Sequence, residues 1–422
     1  MTRAVPFAIL GLLATIPVPS AALAQNPSVP PARGTRVRTV TDTLVGPVGG
    51  VTVDALGMIF VADFGNTVYK VQPDGRVSVY ATGFYGASGN AIDSKGRLLQ
   101  SSFAGNYISR VDRSGKVSTL AEGFEGPVGI AVDTADNLYV CNCRGNYLSR
   151  VTAAGVVSRF AESDLFLCPN GITRGPEGTL YVANFRDSRV LKVTRDGRVS
   201  VLATLPGGGN GHITFARGRL YVTSFQGHRI FEVSLEGEVT LLAGTGALGE
   251  KDGPALQAAF SWPNGIAASP QGDRLYVNDY LNRTPPTVEA PPVPHSVVRQ
   301  ITLPSFGDIL AAALGAGGLD SLRATYQAWK KDPGTAGQFT ELEVNALGYR
   351  LMGAGRLEAA TAVFRLNAES YPNSFNTWDS LAESYMTAGK NSEAIRYYQK
   401  SLELNPANAN ATAMLEKLKS EK

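Results

Sequence analysis

GPVGIAVDTADNLYVCNCRGNYLSRVTAAGVVSRFAE, residues 126–162, decides the fold, because altered copies of it recur along the chain. Aligned on the third letter, the copies fall at Val48, Ser88, Val128, Asn170, Asn210 and Asn264, at intervals of 40, 40, 42, 40 and 54 residues. A period near forty that holds four short alternating runs is the mark of a propeller blade. In the copy quoted, the runs Pro127 to Val132, Asn137 to Val140, Tyr147 to Val151 and Val156 to Phe160 are bounded by Gly, Asp or Asn, and they predict four strands. Glycines fill the turns between first and second strands (Gly57, Gly96, Gly178, Gly272) and between third and fourth (Gly75, Gly115, Gly155, Gly197, Gly237), where tight hairpins need positive φ.

The sixth copy starts at Pro263, reaches a third run at Val297 to Ile301 and lacks a fourth. The missing strand stands at the other end: Arg36 to Leu44, RVRTVTDTL, matches fourth strands such as KVSTLAEGF. Pairing these segments seals a six-bladed ring and leaves no open edge. From Pro304 onward the spacing turns helical. Val344, Leu347, Gly348, Leu351, Ala360, Phe364 and Pro372 recur 34 residues later as Trp378, Leu381, Ala382, Tyr385, Ala394, Tyr398 and Pro406, the pattern of a tetratricopeptide repeat. Two such units need flanking helices, expected near Leu319 to Lys330 and Asn410 to Lys419. The chain is expected to be mostly β: an export leader (1–24), a linker (25–35), a six-bladed β-propeller (36–303) and a small all-α domain (304–422).

The leader reading rests on one positive charge (Arg3), an apolar run from Ala4 to Val18 interrupted by Pro6 and Pro17 and followed by Pro19, and the small-residue end Ala22-Leu23-Ala24. The run is short for a bilayer, so an exported, periplasmic or secreted protein with no transmembrane anchor is expected. Formal net charge is +3, and +2 without Arg3, too little to imply nucleic acid as a partner. Three cysteines allow one bridge. Cys143 with Cys168 is one reading, three small buried hydrophobes the other; Cys141 with Cys143 makes a poor metal pair because only His212, His228 and His295 could complete it.

In such a blade the first strand begins at the rim where the second ends, which collects the candidate site. The first-strand starts hold Ser88, Asn90, Asn170, Asn210, His212 and Asn264; the second-strand ends hold Asp63, Ser102, Asn142, Asn184, Ser224 and Asp279. Of these, Asn90, Asn170, Asn210, His212, Asn264, Asp63, Asn184 and Asp279 are the ligand-binding candidates, and His212 is the candidate general base. Unbonded buried polar groups cost about 1–3 kcal/mol each, so a ring of them suits a ligand or ion, while each can also simply bond loop backbone. Two long insertions, Gly246 to Ser261 and the proline-bearing Leu281 to His295, are expected to overhang this mouth.

These blades resemble NHL-type repeats and the gluconolactonase and strictosidine-synthase-like propellers over roughly 36–303; AGTGALGEKDGPALQAAFSWPNGIA, from Ala243, is especially similar to NHL-repeat proteins. The gluconolactonase resemblance implies a divalent cation (Ca²⁺, Zn²⁺ or Mn²⁺) held by a glutamate, the asparagine of a PNG turn and an aspartate of the next blade. Asn170 in CPNGI matches the second of these, Asn210 stands in place of the aspartate, and Val45 in place of the glutamate. Losing both carboxylates weakens a hard-cation site, leaving Asn170 and Asn210 as the candidate ligands. The expected function is binding of a small ligand or peptide at the mouth, with a protein partner on the helical tail; the alternative is a cation-dependent hydrolase of lactones or esters.

Overall fold

The computed structural model describes residues 35–281, 295–331 and 340–420. The expected leader (1–24), the expected linker (25–35) except Thr35, and 282–294 of the expected overhanging insertion lie outside the described residues.

The described strands form six sheets, five of four strands and one of five. In blade 3 they are Pro127–Val132, Leu138–Asn142, Tyr147–Val151 and Val157–Glu162, antiparallel in chain order and close to the predicted runs. Burial falls from the centre outward. Second strands such as Leu98–Ser102 and Leu180–Asn184 are buried at every position, whereas fourth strands bury chiefly an alanine, Ala81, Ala121, Ala161 or Ala203, and show their other residues to solvent. Adjacent blades share their cores: Leu99 and Ile108 of blade 2 pack with Ile130 and Val140 of blade 3. The aspartates of the lower hairpins have a local task, for Asp54, Asp93 and Asp133 each accept from the backbone N–H two and four residues on.

The ring closes as expected. Arg36–Val45 lies antiparallel to His295–Thr302, with Arg36 opposite Thr302 and Val45 opposite His295, and supplies the fourth strand of blade 6. Val37 and Leu44 point inward, 2% and 1% exposed. The insertion 246–261 departs from expectation. It does not overhang the mouth; Gly253–Pro254 runs beside Arg36 and Val37 as a fifth strand on the outer edge of blade 6. The fully buried Arg299 draws it there, donating to Lys251 O, Ala259 O and the Asp252 carboxylate, because a buried guanidinium must satisfy its donors.

Beyond Pro304 come α1 (Phe306–Lys331), α2 (Glu341–Gly353), α3 (Leu357–Ser370), α4 (Phe375–Thr387), α5 (Asn391–Leu404) and α6 (Ala409–Ser420). Helix α1 breaks at Gly317 and Gly318, so its second half is the expected flanking helix, and α6 is the other. The helices share a core of their own built on Leu310, Leu347, Phe364, Leu381 and Tyr398, and Arg217 of the propeller donates to Pro304 O at the junction. Among the described residues no helix is long and apolar enough to cross a membrane.

Candidate functional site

Strand register gathers the loops at one rim. Pro127 pairs with Asn142, Pro169 with Asn184, Asn210 with Ser224 and Pro263 with Asp279, so each first strand starts where its second strand ends. The same pairs correct the sequence alignment in two blades. Ile130 faces Val140, Ile172 faces Val182 and Ile266 faces Val277; the equivalents in blades 1 and 5 are Val51 facing Val61 and Ile213 facing Val222. Val48 and Asn210 therefore sit one step earlier than supposed, at the level of Pro127 and Pro169.

This shift exposes a ring of glycines that the uniform repeat concealed. Gly50, Gly89, Gly129, Gly171 and Gly265 stand at one level, where first strands of adjacent blades touch: a Cβ there would lie 2.8 Å from Gly89 Cα, 2.2 Å from Val128 O, 2.4 Å from Asn170 O, 2.5 Å from His212 Cα and 2.7 Å from Val51 N respectively. In blade 5 the position belongs to His212. Its side chain is buried, its Nε2 has no partner, and burial lowers its pKa to about 4. The imidazole is thus neutral in the folded protein. Between pH 4 and 6.5 the unfolded chain binds the proton and the folded chain does not, so acidification through this window costs stability, about 3 kcal/mol in full. His212→Gly should remove that acid sensitivity; denaturant melts of both proteins across the window will show it as a difference that grows as pH falls and vanishes above pH 6.5.

Asn90 breaks a second pattern. It faces Gln100 where the other blades pair two apolar residues, and both side chains keep a buried, unpartnered carbonyl oxygen while their amide nitrogens bond main-chain carbonyls.

The other polar candidates are occupied by the fold. Asn170 Nδ2 donates to Asn210 O, and Asn264 Nδ2 to Val48 O and Gly49 O, the same blade-to-blade bond at two seams. Asn210 turns away, donating to Arg189 O with its Oδ1 buried, so it does not join Asn170 in a ligand set. Asp63 accepts from Gly65 and Thr67, Asn184 bridges Leu165 and Leu167, and Asp279 takes the Ser261 N–H at 2.8 and 2.9 Å beside Arg299. Burial raises the pKa of Asp63, and that of Asp279 to about 8. Among the described residues no three His, Cys, Asp or Glu side chains come together as a metal cluster.

What the rim presents instead is aromatic. The residue after each second-strand end is Phe64, Phe103, Cys143, Phe185, Phe225 or Tyr280, all partly exposed. Phe185, Phe225 and Trp262 form a run with ring centroids 5.4 and 5.3 Å apart, and Phe64 meets Phe103 at 5.6 Å, with the Arg144 guanidinium 4.9 Å above Phe103. Trp262 is held at φ +67°, where glycine stands in the matching place of other blades (Gly86, Gly126, Gly209), a conformation unfavourable for so bulky a residue. His228 packs edge-on against it at 4.7 Å and accepts its backbone N–H through Nδ1 at 3.3 Å. That bond leaves the neutral tautomer with its proton on Nε2, as a donor; burial and then Arg229 lower the pKa of His228 and favour this form. The signal is legible as an aromatic one place beyond the second-strand end in five of the six blades, a column that a search for polar residues passes over.

In blade 3 the column holds Cys143, disulfide-bonded to Cys168 at the start of blade 4, so one of the two cysteine readings is realised and Cys141 remains a buried thiol. The bridge ties neighbouring loops of this rim.

Residues 375–408 match the family described as Tetratricopeptide repeat. No curated protein matches the sequence. Solved structures similar to the propeller include a gluconolactonase from Xanthomonas campestris, 18% identical over 65% of this chain and 91% of that one with a TM-score of 0.51. A protein of unknown function from Bacteroides thetaiotaomicron is 15% identical over 64% and 76%, TM-score 0.52, and virginiamycin B lyase from Staphylococcus aureus 17% over 64% and 100%, TM-score 0.47. At these identities the likeness concerns fold alone. The chain is a six-bladed β-propeller followed by a tetratricopeptide-repeat tail.

Proposed function

We propose that this is an exported binding protein whose propeller takes a small ligand or peptide at the rim and whose helical tail engages protein. The observation that carries the reading is the run Phe185, Phe225, Trp262 with His228 beside it: three partly exposed aromatic residues, one of them a strained tryptophan, and one fixed N–H donor. Such a set fits a flat or ring-bearing group with a hydrogen-bond acceptor at its edge. Ligand-observed NMR against a panel of ring-bearing fragments tests it. Fragments that bind the intact protein should lose about tenfold in affinity with Phe225→Ala or Trp262→Ala, about 1.4 kcal/mol. Trp262→Gly, which relieves the backbone, separates lost binding from lost folding. Fragment binding indifferent to all three substitutions contradicts the reading.

The second reading, a lactone or ester hydrolase, is favoured by the partly exposed His228, although its Nδ1 lone pair is committed to Trp262. A lactone panel with Ca²⁺, Zn²⁺ or Mn²⁺ decides between them: turnover abolished by chelator and by His228→Ala would make this an enzyme. Export is tested by the mature N-terminus, expected at Gln25. For the tail, deletion of Ser305 to Lys422 should abolish recovery of cross-linked partners.

A further inference from the structure

The helical tail carries a row of carboxylates that the fold orders and does not neutralise. Each is fixed by an uncharged side chain from a neighbouring helix: Asn376 of α4 donates to Glu341 of α2 at 2.9 Å, Tyr349 of α2 to Glu383 of α4 at 2.8 Å, and Asn408 and Asn410 to Asp379 of α4 at 2.8 Å each. The bonds run from α2 through α4 to the start of α6, so the three acids, one on α2 and two a turn apart on α4, share one face. Among the described residues no Lys or Arg pairs with them; the tail's ion pairs are Arg350 with Asp308 and Lys400 with Glu403. The local field is felt by Tyr349, whose hydroxyl is pushed up to about 12, first by burial and then by Glu383 and Asp379.

A second observation points the same way. Asn345 lies one turn from Glu341 and one from Tyr349, on the ridge that meets α4, is 8% exposed, and its Oδ1 has no partner. A buried amide oxygen without a donor costs free energy. Beside this ridge Leu342 stands 71% exposed, an apolar neighbour for an aliphatic stem.

We propose that this face of α2, α4 and α6 docks an extended polypeptide segment bearing lysine or arginine, whose cationic heads meet Glu341, Asp379 and Glu383. The acids are already held by neutral donors, so a cation adds charge neutralisation without breaking those bonds, and little side-chain ordering remains to oppose binding. The inference rests on the reading of the tail as protein-engaging and names the chemistry of its partner.

The test is fluorescence anisotropy with the full chain and a labelled, end-capped decapeptide of alternating alanine and lysine, against its glutamate counterpart. Binding of the lysine peptide is expected to weaken about tenfold or more in Glu341→Gln/Asp379→Asn/Glu383→Gln, which keeps the hydrogen-bonding shapes, and to fall as NaCl rises. A control with the same loss of charge on α3 and α5, Glu358→Gln/Glu369→Gln/Glu393→Gln, should bind nearly as the parent does. Equal binding by parent and amide variant, equal loss in the control, equal binding of the glutamate peptide, or no binding of either peptide would each overturn the inference. If tail deletion abolishes partner recovery while the amide variant preserves it, the docking chemistry is wrong and the wider reading of the tail survives. Circular dichroism melts of both triple variants exclude unfolding as the cause.

Discussion

Gly89→Val is expected to abolish the folded propeller. The added Cβ would lie 2.2 Å from Val128 O and 2.7 Å from Gly129 Cα, both main-chain atoms of the next blade. No side chain can swing away to make room. Relief requires moving one first strand from another, and in a closed ring that displacement passes to every other blade. Overpacking a core ordinarily costs about 1–3 kcal/mol; against backbone on a closed circle the cost should exceed about 4 kcal/mol, a large fraction of the roughly 5–15 kcal/mol that holds a typical domain folded. Gly315→Ala in α1, where nothing lies within 4 Å, is the matched control, expected to be neutral or slightly stabilising. Thermal melts followed by near-ultraviolet circular dichroism check both; a Gly89→Val protein that melts within a few degrees of the parent would show that the first strands do not meet as described.

The second large effect is expected from removing Arg36 to Val45. This strand makes seven register pairs with His295–Thr302 and carries the outer pair to Gly253–Pro254. Without it Val37 and Leu44 leave the core, roughly 2 kcal/mol each, and the edge of His295–Thr302 loses its partner. Asp252 loses the Thr39 N–H it accepts at 2.7 Å, so Arg299, buried against that same carboxylate, loses the order of its counter-ion. The shortened chain should aggregate or melt far below the parent, and adding the ten-residue peptide in trans should recover part of the native signal. A shortened chain as stable as the parent would place the closure elsewhere.

Blade number, strand limits and the closing strand were legible because glycine and aspartate turns mark the hairpins at a nearly constant period. The repeat was less reliable where blades depart from it. Gly49-Gly50 and Gly209-Asn210-Gly211 offer more than one way to align a first strand, and only the pairing of Val51 with Val61 and Ile213 with Val222 settles the register. The repeat alignment sets His212 level with Ile130 and Ile172, whereas the pairing shifts it by one residue to the level of the axial glycines. The insertion 246–261 was misplaced for a different reason: its destination is decided by Arg299, whose strand lies some forty residues later in the chain. Among the site candidates, sequence identified the rim and the polar residues on it. It could not show that Asn170, Asn264, Asn184 and Asp279 spend their hydrogen bonds on neighbouring backbone, since those partners come from other loops and blades; only Asp63 bonds within its own turn.

Closure by the N-terminal strand is the claim from which the common rim, the aromatic run and the axial glycines all follow. It is tested most directly by a cysteine at each of two cross-strand partners, Arg38→Cys with Gln300→Cys, whose native side chains hydrogen-bond at 2.7 Å. Facing residues of an antiparallel pair have Cβ atoms about 4.5–5.5 Å apart, within reach of a disulfide after small adjustment. Mild oxidation followed by peptide mapping should find the two cysteines joined within one chain, in a monomer that melts at or above the parent temperature. Free thiols, or a bridge found only between chains, would contradict the account.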